Sequence, residues 1–143
     1  MSEPERSVAF VDSNIWLYAF IRTQDVSRQH RAQAVLRSCV PILSPQVVNE
    51  VCLNLLRKAV FTEPQIQRLI TGFYEHYLVI PIERSVALGA SSLRQRYSLS
   101  YWDSIIVSSA LHSPATLLYS EDMQDGLIID QRLQLVNPFV MKG

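Results

Sequence analysis

Four acidic residues stand where carboxylates could do chemistry together. Asp12 and Asp122 each follow an apolar run, whereas Glu50 and Asp103 lie within helical patterns. Clustered carboxylates repel and raise one another's pKa, so such a cluster is stable mainly around a cation. Because the ligands would all be oxygens, we expect Mg²⁺ or Mn²⁺ rather than zinc or copper. A centre of this kind can activate water against a phosphodiester, which predicts a metal-dependent nuclease.

Asp103 raises a question about charge compensation. A helical turn of 100° per residue over residues 100–111, SYWDSIIVSSAL, places it on the same face as Ile106, Val107, Ala110 and Leu111. A carboxylate on such a core-facing stripe loses water and needs compensation. We expect this to come jointly from the amino end of the helix and from a cation shared with Asp12.

The pattern of apolar runs predicts the elements that must position these acids. Strands are predicted at 8–11, 40–43, 78–80, 116–119, 127–129 and 133–136, and helices at 15–20, 27–37, 45–59, 62–76, 83–97 and 100–111. Strands that alternate with helices predict an α/β domain with a mostly parallel sheet. Ligands bind such sheets at the carboxyl ends of the strands, where Asp12 and Asp122 fall.

Composition limits the class of protein. The chain has 143 residues, 48% of them hydrophobic, and 13 basic residues balance 13 acidic ones. We therefore expect a single domain over residues 1–143 with no strong net field for nucleic acid or membrane. Cys39 and Cys52 form no zinc or disulfide pattern, and the polar start has no secretory or membrane run, so we expect a cytoplasmic protein. Glycine-rich nucleotide loops and a GxSxG elbow are absent from the sequence.

Each acid, taken singly, also fits an ordinary structural role. Asp12 can be a helix N-cap, and Asp103 stands at capping-box spacing from Ser100. Glu50 fits a solvated polar helix face, and Asp122 fits turn chemistry before Gly126. Spacing alone leaves both interpretations open, because it does not establish that the four side chains converge.

Four stretches taken in order resemble PIN-domain ribonucleases. They are residues 11–19 (VDSNIWLYA), 47–51 (VVNEV), 101–104 (YWDS) and 119–123 (YSEDM). At this length the chain is most similar to the toxin half of VapBC-type toxin-antitoxin pairs. The resemblance implies a PIN-like three-layer α/β fold, with a mostly parallel central sheet flanked by helices. It also implies a Mg²⁺ or Mn²⁺ site and endonucleolytic cleavage of single-stranded RNA.

The resemblance also implies roles for individual residues. The catalytic and metal-binding quartet would be Asp12, Glu50, Asp103 and Asp122. Asp12 and Asp103 would be direct metal ligands, with Glu50 and Asp122 helping to bind the metal or to orient the attacking water. Residues that could support the site are Ser13, Asn14, Ser120 and Asp125.

The sequence departs from the family pattern after the last acid. Many relatives carry a second Asp two residues further on, where this chain has Gln124. The number of metals, one or two, therefore stays open. So does the choice of Glu121, Asp122 or Asp125 as the last acidic ligand.

Partners follow from the same resemblance. It implies a homodimer and an antitoxin whose tail enters the acidic cleft with an Arg, since guanidinium pairs bidentately with carboxylates. Candidates for contact with RNA are Arg57, Lys58, Arg94 and Arg96. Alternatives are a housekeeping PIN nuclease that matures RNA without an antitoxin, and an inactive PIN-like scaffold that binds RNA or protein. A receiver domain would need a lysine at a late strand end, which this sequence lacks.

Overall fold

The computed structural model describes residues 6–21, 25–58 and 60–140. The strands are β1 (Val8–Val11), β2 (Val40–Leu43), β3 (Leu78–Val79), β4 (Leu117–Tyr119), β5 (Ile128–Ile129) and β6 (Leu133–Val136). The helices are α1 (Ser13–Phe20), α2 (Val26–Ser38), α3 (Pro45–Arg57), α4 (Glu63–His76), α5 (Arg84–Arg96) and α6 (Tyr101–Leu111). The predicted end of the third helix near Ala59 lies outside the described residues.

The six strands form one sheet in the order β3-β2-β1-β4-β6-β5. All neighbouring strands are parallel except β5 and β6, which are antiparallel. The chain moves from β1 outward to β3 and then crosses back to β4, so the direction of winding reverses between β1 and β4. Right-handed crossovers in two directions place the intervening helices on both faces. The predicted α/β fold with flanking helices is confirmed, and its switch point lies between β1 and β4.

An aromatic cluster fixes α1 over the sheet. Trp16 is almost fully buried, and its indole N–H donates to the carbonyl of Val11 at 3.0 Å. Its ring lies edge-on to Phe73 and Tyr77, with centroids 5.2 and 5.1 Å away. Edge-to-face pairs add about 0.5–1.5 kcal/mol each to the burial of the rings. This packing holds the first turn of α1 at the end of β1, where Asp12 lies.

Burial of α6 differs from the amphipathic stripe expected of it. All its residues from Ser104 to Ala110 are buried, so this helix has no single core-facing side over that length. Asp103 lies in the first turn and is only partly buried. The helical period therefore placed Asp103 near the core correctly but overstated its burial, because Asp103 lies at the amino end of α6, where its neighbours Tyr101 and Trp102 are exposed.

The last two strands form a tight hairpin that the sequence pattern did not specify. Asp130 and Gln131 have positive φ angles of 51° and 57°, and the amide of Arg132 closes the turn onto the carbonyl of Ile129 at 3.0 Å. Two successive left-handed residues are typical of a type I′ turn, which normally uses Asn-Gly. Within the described parts of the chain, no helix is long and apolar enough to span a bilayer.

Candidate active site

Asp12 is the most buried of the four acids, with 6% of its surface exposed. It ends β1 and caps α1, and its Oδ1 accepts the backbone N–H of Ser13 at 2.8 Å. Its Oδ2 accepts the hydroxyl of Ser120 at 2.8 Å, so the end of β4 also contacts this carboxylate. The predicted N-cap role is therefore real. The cap uses only the Oδ1 atom of Asp12, and the same residue also lies at the switch point of the sheet.

Burial dominates the ionisation of Asp12. It raises the pKa of this carboxyl from 3.8 to about 6, although the hydrogen bonds from Ser13 and Ser120 lower it. The negative charges of Glu50 and Asp103 raise the same pKa further. Glu50 from α3 and Asp103 from α6 therefore lie close enough to Asp12 for their charges to act on it.

Glu50 reaches the site from α3 and is held by two side chains. Its Oε2 accepts the hydroxyl of Ser13 at 2.8 Å, and its Oε1 accepts the amide of Gln46 at 3.2 Å. Ser13 therefore connects Asp12 to Glu50, through its backbone N–H on one side and its hydroxyl on the other. Gln46 lies one helical turn before Glu50, a spacing that puts both side chains on one face.

Asp103 enters from the first turn of α6. Its backbone N–H donates to the hydroxyl of Ser100 at 3.1 Å, which confirms the predicted cap. Burial raises the pKa of its carboxyl, a hydrogen bond with Ser100 lowers it, and the charges of Asp122 and Glu50 raise it. Asp103 thus interacts electrostatically with acids from two other elements. The amino end of α6 gives part of the compensation expected for it.

Asp122 completes the set from the segment after β4. Its Oδ2 accepts the side-chain amide of Asn14 at 3.2 Å, and its backbone N–H donates to the hydroxyl of Ser120 at 3.3 Å. The structure thus brings the quartet and the supporting residues Ser13, Asn14 and Ser120 to one end of the sheet.

Glu121 and Asp125 are engaged elsewhere. Glu121 forms an ion pair with Arg28, whose guanidinium also lies 4.9 Å from the ring centroid of Phe139. Asp125 accepts the backbone N–H of Asn137 at 2.9 Å. Of the three acids open as the last ligand, Asp122 is the one whose charge acts on Asp103.

The oxygen atoms at this site are of the chemical type that binds a hard cation. Within residues 6–21, 25–58 and 60–140, no ion pair with Arg or Lys reaches any of the four acids. The buried amide oxygen of Asn14 lies beside Asp122 without a hydrogen-bond partner among the described residues. Carboxylate and amide oxygens are ligands that Mg²⁺ and Mn²⁺ accept. In the described part of the chain, however, no three His, Cys, Asp or Glu side chains are arranged to hold an ion as they stand.

The candidate RNA contacts differ in their surroundings. Arg94 donates to the hydroxyl of Ser104 at 2.6 Å, and its guanidinium lies 4.5 Å from the ring centroid of Tyr101. Arg96 instead forms an ion pair with Asp130 at 2.5 Å. Arg57 and Lys58 are exposed at the end of α3. Arg94 is therefore the member of this set placed beside the start of α6.

Sequence reasoning did not single out Gln46 or Trp102. The amide of Gln46 contacts both Glu50 and the carbonyl of Trp102, at 3.2 and 3.4 Å. Its position four residues before Glu50 was the available signal. The contact with Trp102 depends on how α3 and α6 pack, which spacing along the chain does not show.

Comparison with known proteins places the chain in a family. Residues 9–124 match the sequence model of the PIN domain, which confirms the resemblance drawn from the motifs. No curated protein sequence matches the chain significantly.

Solved structures show the same fold. A toxin-antitoxin complex from Klebsiella pneumoniae is 22% identical, with a TM-score of 0.71 over 93% of this chain and 99% of that one. The sarcin-ricin-loop-cleaving VapC20 toxin from Mycobacterium tuberculosis is 15% identical, with a TM-score of 0.61 over 77% and 86%. VapBC2 from Rickettsia felis, bound to a promoter DNA fragment, is 17% identical, with a TM-score of 0.60 over 91% and 99%.

The raised pKa of Asp12 predicts how stability depends on pH. Folding favours its protonated form, so its contribution is fully present below about pH 4 and is lost as the pH rises through about 6. Between pH 4 and 7.5 the free energy of unfolding of wild type should therefore fall relative to Asp12→Asn, by up to about 3 kcal/mol. Urea denaturation in EDTA measures this difference.

Asp130→Asn is the matched control for that experiment. The hydrogen bond with Arg96 lowers the pKa of Asp130, so the stability that this carboxylate contributes is lost only below about pH 4, and the difference between wild type and this variant should stay nearly constant from pH 4 to 7.5. Asn tolerates the positive φ at this position. If the difference in free energy of unfolding between wild type and Asp12→Asn does not change with pH, the raised pKa of the buried Asp12 carboxyl is contradicted.

The contacts of neighbouring acids predict different effects on metal affinity. Asp122→Asn should weaken Mn²⁺ binding by about 10- to 100-fold, the range typical of groups that support a metal site. Glu121→Gln should leave the affinity unchanged, because the Glu121 carboxylate pairs with Arg28. Isothermal titration calorimetry compares the two, and the opposite ranking would assign the last acidic position to Glu121.

Proposed function

The chain belongs to the PIN-domain family, and we propose that it is a Mg²⁺- or Mn²⁺-dependent endoribonuclease that cleaves single-stranded RNA as the toxin of a toxin-antitoxin pair. Family membership supports a nuclease. The observation that carries the proposal is the meeting of acids from separate elements beside the buried Asp12, where Ser13 bridges Asp12 to Glu50, and burial and the charges of Glu50 and Asp103 raise the pKa of Asp12. A fold gains nothing in stability from such repulsion, so the arrangement indicates a functional site.

Each acid takes a role that fits its contacts. Asp12 and Asp103 would bind the metal directly, because both are partly or fully removed from water and the charge of Asp103 raises the pKa of Asp12. The bound ion would neutralise charge on the phosphate and lower the pKa of the attacking water. Glu50, fixed by Ser13 and Gln46, orients that water. Asp122, held by Asn14, completes the anionic wall of the site.

Replacing either metal-binding acid should abolish the activity. Asp12→Asn and Asp103→Asn keep the shape of the side chain and remove its charge. We expect cleavage of single-stranded RNA to fall by about 100- to 10,000-fold, a range typical of lost acid-base or ligand groups. Induced expression of either variant should no longer arrest growth. An RNase assay with Mn²⁺, and growth curves after induction, measure the two effects.

Asp130→Asn serves as the control, because Asp130 pairs with Arg96 away from the four acids. It should cleave RNA and arrest growth as wild type does. Persistent cleavage by both active-site variants would overturn the site. Cleavage without growth arrest by wild type would instead favour a housekeeping RNA-processing nuclease. No Mn²⁺ response and no cleavage by wild type would favour a scaffold.

An antitoxin is the partner we propose, acting on a homodimer of this chain. Likeness to a toxin-antitoxin complex supports it. The acids themselves give a physical reason, since no Arg or Lys within the described residues pairs with them. An Arg from a partner could therefore form bidentate pairs at this site and exclude the metal.

The protein encoded beside this chain in its genome should bind it and inhibit cleavage. Replacing the Arg residues of the neighbour's tail should restore cleavage while leaving the complex intact on gel filtration, because the tail blocks the site and other surfaces hold the complex. An RNase assay with increasing neighbour protein measures this. Full activity of the chain within a stable complex would defeat the inhibition claim.

A further inference from the structure

We propose that the groove between α3 and α6 is a subsite that stacks one nucleobase of the RNA beside the point of cleavage. This inference rests on the proposed function and names the part of the substrate that the neighbouring surface binds. The groove encloses about 540 Å³, within the range of roughly 300–1,000 Å³ typical of small-molecule sites. Its walls include Pro45, Gln46, Glu50, Ile82, Tyr101 and Trp102.

Two exposed aromatic rings form one wall of the groove. Trp102 and Tyr101 are 64% and 56% exposed, and their ring centroids lie 5.2 Å apart at an interplanar angle of 81°. Unstacked bases of single-stranded RNA bind by stacking on such rings. Stacking tolerates any base because every base has a π-face. The groove therefore offers a surface of the right chemistry for single-stranded RNA.

The groove is continuous with the acid site. Glu50 lines both, and Gln46 contacts Glu50 on one side and the carbonyl of Trp102 on the other. Trp102 also directly precedes Asp103 in the chain. A nucleotide whose phosphate lies at the acids would thus have its base, or that of its neighbour, within reach of these rings.

Charge decides which part of the nucleotide enters the groove. A phosphate there would face the Glu50 carboxylate, whereas a base is neutral and flat. The guanidinium of Arg94 lies over the Tyr101 ring, 4.5 Å from its centroid, and can bind a backbone phosphate outside the groove. The observed distribution of charge therefore favours the base inside and the phosphates at its edges.

An unpartnered polar atom adds a second, independent observation. The side-chain Oε1 of Gln46 is buried and accepts no hydrogen bond in the described structure. An acceptor in this state costs free energy unless a ligand donates to it. Amino and imino N–H groups on the edge of a base are donors of this kind. Gln46 is thus placed to contact a base that stacks on Trp102.

Intrinsic fluorescence tests binding without cleavage. The chain has two tryptophans, and Trp16 is buried in the core whereas Trp102 is exposed. In EDTA, a short single-stranded RNA should quench the emission of wild type. Trp102→Phe should lose this quenching, because it removes the exposed indole on which the base stacks. Leu88→Ala, which removes another exposed apolar side chain from α5, should behave as wild type.

A set of substrates with one base removed at each position in turn tests the role of the subsite in cleavage. For wild type, a missing base at one fixed position near the cut should lower kcat/KM by about 5- to 150-fold. Trp102→Ala should lower kcat/KM of the intact RNA by a similar factor. In that variant the missing base should carry no further penalty, because the stacking partner is already gone.

The outcomes separate this inference from the proposed function. Cleavage with no position-dependent loss, and with Trp102→Ala equal to Leu88→Ala, overturns the subsite and leaves the nuclease intact. Quenching in EDTA that Trp102→Phe abolishes supports the subsite even where no metal restores cleavage, which overturns only the nuclease. A change of sedimentation coefficient in Trp102→Ala, without quenching of wild type by RNA, makes this face an interface between copies and overturns the subsite.

Discussion

A carboxylate held away from water at the switch point of the sheet is the constraint around which the rest of this structure is arranged. Asp12 receives two hydrogen bonds, from Ser13 and Ser120, and these do not offset its burial, since the pKa stays raised at about 6. At neutral pH the folded chain therefore carries a charge that opposes folding. A fold that retains such a group trades stability for the chemistry of that position.

Within the described residues, the groups that donate to this carboxylate are the backbone N–H of Ser13 and the hydroxyl of Ser120, and neither is a cation. Ser13 and Ser120 connect α1, α3 and the end of β4 to Asp12 and Glu50 without neutralising either acid. Glu121, which directly precedes Asp122 in the chain, is by contrast paired with Arg28. Uncharged donors fix the positions of the four acids without neutralising them, whereas the guanidinium of Arg28 neutralises the charge of Glu121. The four acids therefore set the charge of the site, and the ion pair between Arg28 and Glu121 lies outside it.

Local sequence signals predicted the backbone that carries the site. The apolar run before Asp12 and the spacing of Ser100 and Asp103 depend on interactions within a few residues, so strands and caps could be anticipated. The pairing of Glu121 with Arg28 joins residues 93 positions apart, and no local pattern encodes it. Burial of α6 on every side likewise depends on neighbours from distant parts of the chain. The sequence could therefore predict the strands and caps that carry the acids, but not the partners that hold their side chains.

The two sides of the acid site differ in a way that bears on how RNA would cross it. On one side Asn14, Tyr18 and Lys58 line a small recess together with the apolar side chains of Leu17 and Ile21. On the other, Trp102 and Tyr101 present rings with no charge of their own. A single strand alternates charged phosphates with neutral bases at a fixed spacing. The two flanks of the acids therefore differ in chemistry, because one carries the ammonium group of Lys58 among apolar side chains and the other carries two uncharged aromatic rings.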